Sequence, residues 1–253
     1  VTLPDFIIAG AQKCGTTSLY QYLTQNRNIV PAKKKEVHFF DIHYPRGLSW
    51  YKEKFPLNQR RKNRGFITGE ASPYYLFHPH AAERAAQTLP QAKIIILLRN
   101  PVDRAFSHYH HQIRHGKETL SFEEAVHQEE SRLHMERRKM LRDKSYNSNN
   151  YWRYSYLARG VYADQLKRWM THFPSHQIMV IRSEDFYKNT NKILKKLTHF
   201  LGIPPHTPKQ SKPYKSGSYE PMNPKTRQSL IQYFRPHNAR LYKLLGRNMN
   251  WDQ

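Results

Sequence analysis

Apolar residues in this chain cluster in short runs, and unbroken runs alternate with periodic ones. Asp5-Phe6-Ile7-Ile8-Ala9 predicts a short strand, followed by the loop Gly10–Gly15 and a helix from about Thr16 to Leu23. Phe66-Ile67-Thr68 predicts a second strand. Pro79–Leu89 is rich in Ala and closed by Pro90, which predicts a helix. Lys93-Ile94-Ile95-Ile96-Leu97-Leu98 is β-branched and unbroken, the clearest buried strand. Asn100 as cap and Pro101 at the first position open the next helix. Ser121-Phe122-Glu123-Glu124 fits a capping box and starts a helix running towards Met140. Residues 142–154 are polar, rich in Asn and Tyr, and read as a mobile loop. Val161–Phe173 reads as a helix and Ile178–Ile181 as a strand. Thr190–Leu201 carries Ile193, Leu194, Leu197, Phe200 and Leu201 on one stripe of a helix. Residues 202–222 read as a long loop, and Asn223-Pro224 cap a last helix reaching about Leu245.

Strands alternating with helices imply an α/β fold: a single P-loop-like domain over 1–253, with a mainly parallel central sheet flanked by helices on both faces. Ligands on such sheets bind at the carboxyl ends of the strands. The length, 253 residues, suffices for a sizeable core, although the apolar share is only 38%. Charge adds more. Lys and Arg number 42 against 19 Asp and Glu, a formal net charge of +23. That excess favours anionic partners: nucleic acid, acidic polysaccharide, anionic lipid or a phosphorylated cofactor. The only cysteine is Cys14, so no intramolecular disulfide can form, which leans towards a reducing compartment or a domain that needs no staple. No apolar run approaches the ~18 residues of a membrane span, and no signal peptide is visible at Val1. The expected location is the cytoplasm for a bacterial protein, or the Golgi lumen for a trimmed eukaryotic catalytic domain.

The first chemical signal is Gly10-Ala11-Gln12-Lys13-Cys14-Gly15-Thr16-Thr17, between a strand and a helix. Its glycines have the Walker spacing G-x-x-x-x-G, but Thr16 stands where the Walker Lys belongs and Lys13 lies inside the loop. Glycines let the backbone curl with its N–H groups inward, and the following helix presents its positive end, so a phosphate or sulfate is cradled there. Thr16 and Thr17 can donate hydroxyl bonds, and Lys13 can stabilise charge as a bond breaks. A bare glycine pair would serve equally as a turn; Lys13 and the paired threonines favour the anion site. The missing Walker Lys and the lack of an acidic Mg²⁺ site argue against a kinase or ATPase.

A second anion site is expected where Lys93–Leu98 runs into Arg99. Arg99 leaves a buried strand end, and Ser107 lies eight residues on, about two helical turns into the next helix. Both can address one anion. Arg104 has Asp103 or solvent as its expected partner. The third signal is Lys33-Lys34-Lys35-Glu36-Val37-His38-Phe39-Phe40-Asp41. On an extended segment the side chains of Glu36 and His38 share a face. Either can take a proton from an attacking hydroxyl, provided burial offsets the acidifying lysines.

Lys13-Cys14-Gly15-Thr16-Thr17-Ser18-Leu19 resembles the 5′-phosphosulfate loop of the sulfotransferases, and the resemblance extends over nearly the whole chain. It is closest to the carbohydrate branch that includes heparan sulfate N- and 3-O-sulfotransferases and their bacterial relatives. The resemblance implies 3′-phosphoadenosine 5′-phosphosulfate as sulfuryl donor and 3′-phosphoadenosine 5′-phosphate as product. It implies Lys13, Cys14, Gly15, Thr16, Thr17 and Ser18 around the 5′-phosphosulfate, and Arg99 with Ser107 on the 3′-phosphate. Lys215, in the basic loop Lys212–Tyr219, is expected to add a 3′-phosphate contact. The Glu36 segment resembles the K-E-x-H-F-F-D signature of the heparan sulfate enzymes, which implies Glu36 as general base and His38 as helper or acceptor-binding group. Lys35 and Asp41 are then expected near the acceptor.

Gly69-Glu70-Ala71-Ser72-Pro73-Tyr74-Tyr75 resembles a family segment that commonly has Lys where this chain has Ala71. The departure removes a basic contact and puts the same sulfation position in doubt; Glu70 and Ser72 remain expected on the acceptor side. Arg60-Arg61-Lys62 with Arg64, Arg137-Arg138-Lys139 and the aromatic run Tyr151-Trp152-Arg153-Tyr154 would suit an acidic sugar chain. The expected enzyme needs no metal, and its acceptor is a saccharide, a small alcohol or a carrier-bound acyl chain. The competing class is a polyanion- or nucleic-acid-binding module without catalysis. No nucleic-acid-binding motif supports it, and the phosphate loop is a more specific sink for the charge.

Overall fold

The computed structural model describes residues 3–56, 65–208 and 219–252. Its sheet has five strands: β1 (Phe6–Gly10), β2 (Ile29–Pro31), β3 (Ile67–Ala71), β4 (Lys93–Leu98) and β5 (Ile178–Arg182). They stand in the order β2-β3-β1-β4-β5, and every neighbouring pair is parallel. Phe6 to Ala9 and Ile94 to Leu98 have no exposed surface. Adjacent residues of a strand point to opposite faces, so helices must cover both faces of the sheet centre, as the unbroken apolar runs require. The edges differ. β5 is mostly half-buried, and β2 ends at Pro31, whose missing N–H is tolerated at a sheet edge.

Register places the loops that matter. Ile8 of β1 lies opposite Ala71 of β3 on one side and Ile95 of β4 on the other. The β1–β4 pairing shifts between Ile8 and Gly10, where the chain leaves the sheet. Such an irregularity bends a strand and re-aims the chain beyond it.

The chain divides into two compact units. The first, Val1–Leu98 with Trp169–Ser216, holds the whole sheet and the helices Thr16–Leu23, Ala81–Thr88, Ser183–Lys188 and Thr190–Leu201. The second, Arg99–Arg168 with Gly217–Gln253, is helical among its described residues. Its helix Pro101–Arg114 is capped as expected, with Asn100 Oδ1 accepting from the Val102 N–H at 3.0 Å. Val102, Ala105, Phe122, Tyr156, Ile231 and Phe234 form its core.

Three expectations for the second unit are corrected. Arg104 faces neither Asp103 nor solvent: it is fully buried and donates to the Tyr156 carbonyl, while Asp103 pairs with Arg227 at 2.6 Å. Helical spacing explains this, since residue 104 shares its stripe with the buried Pro101 and His108. The helix opened by the Ser121–Glu124 capping box is broken into Phe122–His127, Glu129–Leu133 and Glu136–Arg142, with Met135 at a φ of 62° before the last piece. Residues 142–154 are pinned rather than loose. Ser148 caps the helix Asn149–Arg153 and donates to Glu136, which also accepts from Tyr146 at 2.8 Å. Among the described residues no helix is long and apolar enough to cross a membrane.

Candidate active site

β1 delivers its carboxyl end into the glycine loop. A Cβ on Gly10 would lie 2.5 Å from the Leu76 Cβ, so a side chain there would block the close passage of the strand end beneath Leu76. Hydrogen bonds fix this crossing: Leu76 N–H to the Ala9 carbonyl at 2.8 Å, and Ala11 N–H to the Leu97 carbonyl at 2.7 Å. Lys13 and Gly15 both take left-handed backbone angles, φ 69° and 91°. Helix Thr16–Leu23 starts at Gly15 with no side-chain cap and no acidic residue in its first turn. The leading N–H groups of any helix find no acceptor within the helix itself, and a start of this kind can receive an anion. Cys14 is fully buried, and its carbonyl accepts from Ser183 Oγ at 2.7 Å. Ser18 is buried too, with its hydroxyl 3.4 Å from that of Tyr187. The Cys14 N–H donates to the Ala11 carbonyl at 3.2 Å, so Cys14 is held inside the loop, while Lys13 and, in the first turn of the helix, Thr17 are half-buried.

Glu36 and His38 meet, but not because the segment is extended. Both have left-handed φ, 62° and 55°, and the tight bend brings their side chains together. The result is a linear chain of charge. Lys35 Nζ lies 2.6 Å from Glu36 Oε1, Glu36 Oε2 lies 3.3 Å from His38 Nε2, and His38 Nδ1 lies 2.8 Å from Asp41 Oδ2. Glu36 is its most exposed member, at 43% of the side chain against 18% for Lys35, 15% for His38 and none for Asp41. Burial pushes the Glu36 carboxyl up, but the His38 hydrogen bond and the Lys35 charge outweigh it and hold it at about 2. Burial likewise disfavours the imidazolium of His38, yet the bonds to Asp41 and Glu36 prevail and raise it to about 10. The lysine effect foreseen from the sequence is therefore not offset: at neutral pH Glu36 is ionised and His38 is protonated.

The end of β3 anchors this bend. Glu36 N–H donates to the Ala71 carbonyl at 3.1 Å, and His38 N–H to Ser72 Oγ at 3.1 Å. Ser72 in turn donates to Glu70 Oε2 at 2.7 Å. Glu70 has no exposed surface and also accepts from Tyr51 at 2.6 Å and from Tyr75 at 3.1 Å. Arg84 closes the other side, donating to the carbonyls of Phe40 at 2.9 Å and Asp41 at 3.2 Å. Asp41, Glu70 and Ser72, expected on the acceptor side, thus face the interior here, with their oxygens engaged by protein groups. Asp41 Oδ1 accepts from the Ile42 N–H at 2.6 Å while Oδ2 holds His38. Tyr51, Tyr75, Arg84 and Tyr187 support the site without having been singled out. Tyr75 stood inside the quoted Gly69–Tyr75 motif; nothing in the pattern around Tyr51 marks it.

Arg99 begins the second unit directly after β4, its carbonyl accepting from the Tyr162 hydroxyl at 2.9 Å. Ser107 lies on the helix Pro101–Arg114 and is 8% exposed. Lys215 lies outside the described residues, as do Arg60, Arg61, Lys62 and Arg64.

Residues 3–238 match the sulfotransferase domain family. The crystal structure of a sulfotransferase from Alicyclobacillus acidocaldarius is 35% identical and superposes over 100% of both chains with a TM-score of 0.81. The membrane-associated sulfotransferase kil1 of Dictyostelium discoideum is 30% identical over 98% of this chain and 66% of its own length. The human bifunctional heparan sulfate N-deacetylase/N-sulfotransferase 3 is 31% identical over 96% of this chain and 30% of its own length. The chain thus spans under two thirds of these curated relatives.

Proposed function

This chain belongs to the sulfotransferase family, whose sulfuryl donor is 3′-phosphoadenosine 5′-phosphosulfate, and we propose that it sulfates a hydroxyl or amine of a saccharide acceptor with Glu36 as general base. The observation that carries this reading is the sheet register. β1 and β3 are parallel neighbours; the carboxyl end of β1 enters the anion loop, and that of β3 holds the Glu36 backbone through the Ala71 carbonyl. Cradle and carboxylate thus share the edge of the sheet where such folds bind ligands.

The donor supplies a sulfuryl group on a phosphate that leaves as an anion. Lys13 and the first-turn N–H groups of Thr16–Leu23 stabilise the charge that grows on the leaving oxygen. Arg99 and Ser107 bind the 3′-phosphate. Glu36 accepts the acceptor proton as the new bond to sulfur forms and the sulfur–phosphate oxygen bond breaks. Between the two candidate bases, His38 already carries its proton at neutral pH, which supports Glu36. A carboxylate held at about 2 is a weak base towards a free alcohol. Proton transfer to it is therefore late, after bonding to sulfur has acidified the attacking oxygen. Asp41 fixes the His38 ring, and His38 fixes Glu36.

A saccharide acceptor is supported by the 31% identity to a heparan sulfate enzyme and by the charge of +23, which suits an acidic chain. The test is transfer of labelled sulfuryl from the donor across heparan precursors, other polysaccharides, small alcohols and carrier-bound acyl chains. Label in a heparan-type saccharide is the expected outcome; label only in a small alcohol or acyl chain would remove the saccharide. Glu36→Gln should lose turnover by about 10²-fold or more while binding 3′-phosphoadenosine 5′-phosphate as the wild type does. Retained turnover would take the base role from Glu36.

A further inference from the structure

We infer that Glu70 is the positioning residue of the Glu36–His38 pair, acting through the hydroxyls of Ser72 and Tyr75 on two backbone N–H groups of the bend. The inference rests on the roles proposed above for Glu36 and His38. Its geometry is a hub with two arms. In one arm Glu70 Oε2 accepts from Ser72 Oγ at 2.7 Å, and Ser72 Oγ accepts from the His38 N–H at 3.1 Å. In the other, the Tyr75 hydroxyl donates to Glu70 at 3.1 Å and accepts from the Phe39 N–H at 2.7 Å. A third donor, the Tyr51 hydroxyl on the helix Gly47–Lys52, reaches Glu70 Oε1 at 2.6 Å.

The direction of these bonds makes the hub specific. A hydroxyl has one proton. Because Ser72 and Tyr75 give theirs to Glu70, their lone pairs point at the N–H groups of His38 and Phe39. A carboxylate accepts only, so it forces this polarity on both arms; a neutral group that also donates no longer forces it. The bend needs such support, since Glu36 and His38 both sit at positive φ, which costs a non-glycine residue free energy unless its surroundings hold it.

The hub should respond to pH. Burial pushes the Glu70 carboxyl up; the hydroxyls of Tyr51, Ser72 and Tyr75 oppose that, the charge of Asp41 adds to it, and the result is about 7. Tyr20, on the helix Thr16–Leu23, is also coupled to Glu70 and is itself raised to about 12 by burial. Below pH 7 Glu70 gains a proton and becomes a donor, so it no longer compels all three hydroxyls to donate and the bend loosens.

The test is Glu70→Gln, with Ser72→Ala as the variant that removes one arm and keeps the carboxylate. Both should lower kcat by about tenfold or more, leaving affinity for 3′-phosphoadenosine 5′-phosphate within about twofold by calorimetry. Wild-type kcat should fall as pH drops through about 7, and Glu70→Gln should flatten that limb. In NMR of the protein without donor, the wild-type His38 ring should keep its proton up to about 10, and Glu70→Gln should lower that by a unit or more. Wild-type kcat in either variant, a limb near pH 7 that survives Glu70→Gln, or an unmoved His38 titration would overturn the inference. If Glu70→Gln does not fold, Ser72→Ala decides by kcat and by the His38 titration. Absence of transfer by the wild-type protein to every acceptor would sink the proposed function instead, and the His38 titration would still judge the hub.

Discussion

His38 donates to two carboxylates at once, and that fixes what each of the three groups can do. Its folded pKa is raised from the ordinary 6.5 to about 10 despite burial, because Asp41 and Glu36 both hold the charged ring. The stability this contributes is fully present below pH 6.5 and is lost as pH rises through about 10. Glu36 has the opposite sign. Its pKa is depressed from 4.5 to about 2, so its contribution is present above pH 4.5 and is lost as pH falls through about 2. Both are whole only between pH 4.5 and 6.5. His38→Ala should therefore lower the melting temperature most in that window, and the difference from wild type should shrink steadily towards pH 10. Melting curves at pH 5.5, 7.5 and 9.5 check this; a difference that grows with pH would mean that His38 is neutral in the fold. The effect is moderate in size because the Glu36 side chain is 43% exposed and solvent screens its share.

At the scale of elements, the strand–loop–helix unit from Phe6 to Leu23 is the part most legible in the sequence. An unbroken apolar run, two glycines at a fixed spacing, Lys13 and the paired threonines are all local signals, and together they narrow one another's meaning. The predicted helix Thr16–Leu23, the β4 strand and the Asn100, Ser121 and Asn223 caps coincide with the observed elements, because caps and buried strands are local signals. What escaped was tertiary. Pairing of Glu36 with His38 depends on a positive-φ bend held by Ala71 and Ser72, more than thirty residues away. The three-residue strand β2 and the helix Gly47–Lys52 are too short to show a period. Within the loop, Gly15 makes a testable claim. Its φ is 91°, and an added Cβ would lie 2.6 Å from the Tyr187 hydroxyl oxygen. Gly15→Ala should cost about 1–3 kcal/mol of stability and weaken binding of 3′-phosphoadenosine 5′-phosphate, because the loop must shift to make room. Adding Tyr187→Ala should recover the steric part and leave the backbone part. Full recovery would mean that the positive φ carries no cost.

For the molecule as a whole the governing fact is charge. A net +23 on 253 residues exceeds what one nucleotide donor can neutralise. Arg137, Arg138, Lys139 and Arg142 are all exposed on or beside the helix Glu136–Arg142. Charges of this kind act over roughly the Debye length, about 10 Å at 0.1 M salt, and raise encounter rates with anionic partners by about 10–10³-fold when unscreened. An acidic saccharide should therefore be captured faster than a neutral one of the same size, and salt should remove the advantage. With the donor saturating, kcat/KM for an acidic saccharide should fall by about tenfold or more between low and moderate salt, whereas that for a neutral saccharide should change by less than about twofold. Under these conditions kcat itself should hold steady for both, because once donor and acceptor are bound the turnover no longer depends on the long-range encounter that salt screens. Equal salt slopes for the two acceptors would assign the excess charge to the donor and to solubility, and would detach it from the acceptor.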